Sequence, residues 1–251
     1  MQLIEQNVVV TTRFGQMPAF AVCPAQGGPF PPVLFYMDAP GIREELHNMA
    51  RRIAKAGYYV LLPDLYYRLG KVRFDITRRD EAMSKVIWNC ITSIDTAKMM
   101  DDTAAMIAFI DGQSQVRPGP VGCIGFCMGG KYVVSAAGTY PERIAAVAAL
   151  YGIQLVTDDA DSPHLLAPRI DAELFFGFAE TDRSAPPAMV QALGETLCAA
   201  TVAHDIQVYP GTVHGYCFAE SDKYTHAAAE DSWARIFALF ARKLGSSDSA
   251  A

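Results

Sequence analysis

A series of short runs, apolar nearly throughout, constrains this chain more than any other feature: Val33 to Met37, Tyr58 to Leu62, Val121 to Phe126, Ala145 to Tyr151, Glu173 to Phe178 and Asp205 to Tyr209. A strand with one face in water alternates apolar and polar residues, whereas a strand covered on both faces does not. Helical patterns lie between these runs. Leu46, Met49, Ala50 and Ile53 fall at i, i+3, i+4, i+7 ahead of Gly57; Met99, Met106, Phe109 and Ile110 precede Gly112; Trp233, Ile236, Phe237, Phe240 and Leu244 stop at Gly245. Each stripe reads as a buried helix face closed by a C-terminal glycine. Such alternation predicts an α/β fold, a mostly parallel twisted sheet with crossover helices on both faces. The start differs. Asn7 to Thr12 and Met17 to Cys23 flank Arg13-Phe14-Gly15-Gln16, which predicts an antiparallel N-terminal hairpin of edge strands.

Pro29-Phe30-Pro31-Pro32 and Pro118-Gly119-Pro120 each sit just before a strand, as stops between elements and not as linkers. Residues 1–251 are therefore expected to form a single domain, with a disordered small polar tail at 246–251. Hydrophobic residues make up 51% and charged residues 19%, enough apolar surface for a substantial core. The apolar run Ile144 to Ile153 is shorter than the about 18 residues of a membrane span, and Phe14 to Met37 is broken by prolines and glycines, so no membrane partner is expected. Met1 to Thr12 carries Glu5 and alternates, unlike a secretory signal, which points to a cytoplasmic protein. A net charge of -6 lacks the basic footprint that replaces phosphate counterions, so nucleic acid is not an expected partner. The 6 cysteines include no CxxC pair and do not combine with the 5 histidines at ligand spacing; they read as thiols, with no metal site.

The segment best suited to chemistry is Gly125-Phe126-Cys127-Met128-Gly129-Gly130, at the end of one predicted strand and the start of a helix over Lys131 to Tyr140. A nucleophile elbow turns so sharply that small residues must stand two before and two after the nucleophile. Gly125 and Gly129 do so, and the turn sets Cys127 at a helix N-terminus, where dipole and free amides favour a thiolate and an oxyanion. Two other readings remain: Cys127 as a small buried hydrophobe, or a phosphate-binding turn. The spacing matches neither GxGxxG nor the GK[ST] loop.

A thiol nucleophile needs a base and an acid in loops after later strands. Asp182 lies in the polar loop Ala179 to Pro186 ahead of a helix, where it could equally serve as a cap or turn residue. His214 lies in Tyr209-Pro210-Gly211-Thr212-Val213-His214-Gly215, after the next strand. His47 and His226 fall within helix patterns, His204 begins a strand, and His164 precedes the acid loop. The separations suit strand-helix-strand excursions that return to one sheet edge.

With these residues in place, the chain from about Val8 to Leu244 resembles the dienelactone hydrolase family, the cysteine-nucleophile branch of the α/β-hydrolase fold. The resemblance rests on Gly125 to Gly130, Asp182, His214-Gly215-Tyr216, Tyr36-Met37-Asp38-Ala39-Pro40-Gly41 and Pro63-Asp64-Leu65-Tyr66. It implies a Cys127-His214-Asp182 triad that opens lactones or short activated esters through an acyl-thiol, with backbone amides of Met128 and Ala39 holding the oxyanion and no cofactor. At Asp38 the family usually has a glutamate that hydrogen-bonds the resting thiol and releases it when substrate enters; here the side chain is one methylene shorter. Type enzymes also grip a substrate carboxylate with arginines, one shortly after the histidine. Here Cys217-Phe218-Ala219-Glu220 follows, with no arginine until Arg235. Arg68, Lys71, Arg73, Arg78 and Arg79 are candidates for a replacement cation, and Tyr66, Tyr67, Trp88 and Tyr216 for the pocket wall. The expected partner is a small-molecule ester or lactone, and the protein a monomer or homodimer. The alternatives are a broad carboxylesterase or thioesterase, or a non-catalytic small-molecule binder on the same fold.

Overall fold

The computed structural model describes residues 1–245, with Thr77 described by its backbone alone; the predicted tail at 246–251 lies outside the described residues. The predicted apolar runs are all strands: β1 (Leu3–Thr12), β2 (Gly15–Pro24), β3 (Pro32–Tyr36), β4 (Tyr59–Pro63), β5 (Val121–Phe126), β6 (Ile144–Leu150), β7 (Glu173–Thr181) and β8 (His204–Val213). They form one 8-stranded sheet in the order β1-β2-β4-β3-β5-β6-β7-β8. From β4 through β8 neighbouring strands are parallel, while β1-β2 and β2-β4 are antiparallel. The antiparallel hairpin forms as predicted, but the reading of β2 as an edge strand is corrected. β2 is an interior strand, paired on both sides and buried over most of its length, so that of the hairpin's two strands only β1 lies at an edge of the sheet.

Helices α1 (Glu44–Lys55), α2 (Glu81–Thr92), α3 (Thr96–Asp111), α4 (Met128–Thr139), α5 (Pro187–Ala199) and α6 (His226–Leu244) complete the framework. In α1, Leu46, Ala50 and Ile53 are fully buried, as their spacing requires; a buried leucine or isoleucine contributes roughly 1.5–3 kcal/mol. α1 and α6 share one face of the sheet. There the Arg52 guanidinium forks onto Glu230 at 2.7 and 2.6 Å and lies 4.8 Å from the Trp233 ring. α3 and α4 lie on the other face, tied where the Tyr140 hydroxyl donates to the Met100 carbonyl at 2.6 Å. No described helix is long and apolar enough to cross a membrane. The parallel topology sends the carboxyl ends of β3, β5, β7 and β8 to one edge, where the candidate site residues follow.

Candidate active site

Cys127 joins β5 to α4 with φ 52° and ψ -114°, a left-handed conformation that costs a non-glycine residue about 1–3 kcal/mol. Hydrogen bonds over-determine it: the Cys127 N–H donates to Leu150 O at 3.0 Å, and the Cys127 carbonyl accepts from Gly130 N at 3.0 Å and Ile153 N at 3.2 Å. The flanking glycines are steric requirements. A Cβ at Gly125 would overlap the Gly129 carbonyl, and one at Gly129 would overlap the carbonyls of Tyr36 and Met37. The elbow therefore packs directly on the end of β3. Met128 is the first residue of α4, so its N–H belongs to the free amides of a helix N-terminus.

β7 and β8 are parallel neighbours, and the residues just past them, Asp182 and His214, meet. Asp182 Oδ2 lies 2.6 Å from His214 Nδ1, and Oδ1 accepts from the amides of Ser184 at 2.8 Å and Ala185 at 3.2 Å. The carboxylate is 1% exposed and the imidazole 29%, which leaves the histidine one side open to ligand. The Cys127 side chain is also a neighbour of the imidazole, close enough to bear on its protonation. The ring also meets the edge of Tyr151, with centroids 5.0 Å apart. Burial alone would push the proton off His214. Its interactions with Cys127 and the hydrogen bond to Asp182 outweigh it, raising the imidazole pKa to about 10. A carboxylate, an imidazole and a thiol are thus neighbours in that order.

Asp38, Ala39 and Gly41 form a tight turn after β3, closed by Gly41 N to Asp38 O at 3.0 Å. The Tyr66 hydroxyl donates to the Ala39 carbonyl at 2.8 Å and lies 3.6 Å from Met128 Sδ. Tyr66 is almost wholly buried, so it braces the two oxyanion-hole candidates and does not line a pocket. Asp38 is buried too, but its partner is a residue that the sequence did not single out. Arg43 Nη1 and Nη2 reach Oδ1 and Oδ2 at 2.5 and 3.0 Å, and its Nε donates to Glu220 Oε1 at 2.5 Å. Burial pushes the Asp38 carboxyl up, and the guanidinium works against it. Both Asp38 oxygens are held by Arg43, whereas the family's usual glutamate is the residue whose contact with the thiol the resemblance implies. No spacing rule flags an arginine at a helix start as the partner of an acid beyond the preceding turn; the usable signal was the carboxylate itself, which needs a cation once buried.

The remaining candidates have other surroundings. Tyr216 is fully buried, its hydroxyl 3.0 Å from Ser232 Oγ, so it is a core residue and cannot present a face to substrate. Trp88 is 53% exposed on α2. Tyr67 joins Thr12 and Asp102, each at 2.8 Å. Arg68 pairs with Asp102 and Arg73 with Asp64, both at 2.7 Å, and Arg79 donates to Ser84; Lys71 and Arg78 are exposed. A groove of about 850 Å3 runs between α1 and the β1-β2 hairpin, with Arg43 on its wall but neither Cys127 nor His214. Its size does not make it the reaction site, since the nucleophile candidate lies outside it. Among the described residues no cluster of three or more His, Cys, Asp or Glu is placed to hold a metal ion.

The dienelactone hydrolase family model matches residues 17–244. A protein of Methylorubrum extorquens named "Putative carboxymethylenebutenolidase" is 31% identical over 238 residues, covering 93% of this chain and 79% of that one. One of the same name from Synechocystis is 28% identical, covering 94% and 96%. Among solved structures, a "Putative Dienelactone Hydrolase" from Klebsiella pneumoniae superposes with a TM-score of 0.86 at 24% identity, over 96% of this chain and 100% of that one. A dienelactone hydrolase-like promiscuous phosphotriesterase from metagenomic libraries superposes at 0.80 with 20% identity, over 98% and 100%.

Proposed function

Because this chain belongs to the dienelactone hydrolase family, we propose that it hydrolyses carboxylic ester or lactone bonds through an acyl-enzyme on Cys127. The supporting observation is that His214, hydrogen-bonded to Asp182, also has Cys127 as a neighbour that bears on its protonation, the three residues following three different strands. The Cys127 thiolate attacks the carbonyl carbon; a C–S bond forms and the carbonyl π electrons move onto oxygen. That oxygen is received by the amides of Met128 and Ala39, donors fixed before the charge develops. The C–O bond then breaks, and the His214 imidazolium gives its proton to the leaving alkoxide. In a lactone the alkoxide stays tethered and the ring opens. Water then attacks the thioester, His214 takes its proton, and the carboxylate product leaves as the thiolate re-forms. Asp182 holds the histidine tautomer throughout. The substrate is a small molecule, and no step calls for a cofactor.

The test is turnover of p-nitrophenyl acetate and of a panel of simple lactones, dienelactone and acyl thioesters by the wild type and by Cys127→Ala and His214→Ala. The expected result is ester and lactone turnover lost in both variants. Tight binding of these compounds without turnover would place the chain with non-catalytic binders, and preference for thioesters would move it to the thioesterases.

A further inference from the structure

The groove between α1 and the β1-β2 hairpin has the volume of a small-molecule site, about 850 Å3 where such sites span roughly 300–1,000 Å3. Phe20 and Leu62 are buried members of its lining, and Val8, Ile42 and Phe74 stand half-buried beside them. A monomer rarely leaves contiguous apolar surface of this kind open without a use. The charges decide the class of ligand. Of the acids in the lining, Asp64 accepts from Arg73 at 2.7 Å and from the Tyr66 N–H at 3.2 Å, while Glu44 pairs with Arg51 at 2.5 Å and lies 3.4 Å from His47 Nδ1. Arg43 is engaged by Asp38 and Glu220. Lys71 differs: it is exposed on the groove and, among the described residues, forms no ion pair. An apolar trough with one unmatched cation is complementary to a molecule with an apolar body and one negative charge. Lys71 and Arg73 are also sequence candidates for gripping the carboxylate of a reacting substrate, yet the groove they line includes neither Cys127 nor His214. An anion held here lies off the nucleophile.

We propose that this groove is a second binding site, separate from Cys127, for an amphipathic monoanion: a carboxylate on Lys71 and an aryl or alkyl body against Val8, Ile42 and Phe74. The lysine is a point charge on a flexible stem, so it fixes the charged end of the ligand without imposing one angle. The site therefore selects for a single negative charge and apolar bulk, and not for one scaffold. The proposal goes beyond the hydrolytic reading and does not depend on it.

The test follows pyrenebutyrate emission as the probe is titrated into the full chain, before and after iodoacetamide treatment that blocks Cys127, with decanoate as competitor. The expected result is one saturable site with the same Kd in both samples. Neutral pyrenebutanamide should bind about tenfold more weakly, and Lys71→Glu should weaken pyrenebutyrate by a similar factor, a loss that shrinks in high salt. Val8→Trp, which sets an indole in the groove from the edge strand β1, should abolish binding; Phe74→Ala, in the connection after β4, should weaken it if Val8→Trp does not fold. Loss of binding on iodoacetamide treatment would place the probe at the reaction site and overturn the proposal. So would equal affinity for acid and amide, or wild-type affinity in Lys71→Glu. A sedimenting mass that halves in Val8→Trp would assign the groove to a second copy of the chain and overturn it too. Binding needs no turnover, so an unreactive ester panel would sink the hydrolytic reading and leave this one standing.

Discussion

At the turn from β5 into α4, backbone contacts dictate residue size: Gly125 and Gly129 lie against carbonyls that cannot retreat, and Cys127 holds a left-handed φ. Across the connection from Asp64 to Asp95 the opposite holds. Its charged side chains reach the nearest acids, Arg68 to Asp102 and Arg73 to Asp64, and Trp88 turns outward. A residue's chemical type predicts its role in the first region, because the fold leaves it one place to be. In the second it predicts little, because a long side chain pairs with whichever partner lies within reach.

Substitutions can break this contrast. The largest effect belongs to Gly129→Ala, whose methyl would enter the end of β3; urea unfolding should show a loss of about 3 kcal/mol or more, if folded protein is obtained at all. A loss under 1 kcal/mol would mean that the elbow yields and the contrast is false. Asp182→Asn comes next. It keeps the shape of the loop but not the charge that orients His214, so kcat should fall about 10^3- to 10^4-fold. The pH dependence sharpens the point. A histidine whose folded pKa is raised from 6.5 to about 10 adds stability that is complete below the first value and lost as pH rises through the second. Melting temperature should therefore decline over that window in the wild type and decline earlier in Asp182→Asn; identical curves would disconnect Asp182 from the histidine's charge. Trp88→Ala should do least, changing stability by less than about 0.5 kcal/mol with kcat/KM nearly unaltered. A tenfold rise in KM would put that ring at the substrate.

The same contrast explains what could be read in advance. The parallel strands, the amphipathic helices and the placing of Cys127, Asp182 and His214 at strand ends follow from local patterns, apolar runs and glycine spacing, that bulk sterics enforce. α2 went unread although Asp80 caps it through Met83 N and Ile87, Cys90 and Ile91 face inward, because its outer surface dilutes the apolar stripe. The interior place of β2 depends on its long-range pairing with β4. Tyr216 shows the limit for side chains: an aromatic residue beside the histidine suggests a pocket wall, but its neighbour along the chain points to the site while its own ring points into the core. Arg43 required knowing that α1 begins beside the segment after β8, a tertiary fact with no sequence period.

The most direct test of the central claim is mass analysis of the protein acid-quenched during turnover of a slow aryl ester, with the acyl group mapped by peptide. The account predicts one acyl group, carried on Cys127 as a thioester and released by neutral hydroxylamine, and none in Cys127→Ala. Undiminished turnover by Cys127→Ala, or an acyl group mapped to another residue, would contradict it.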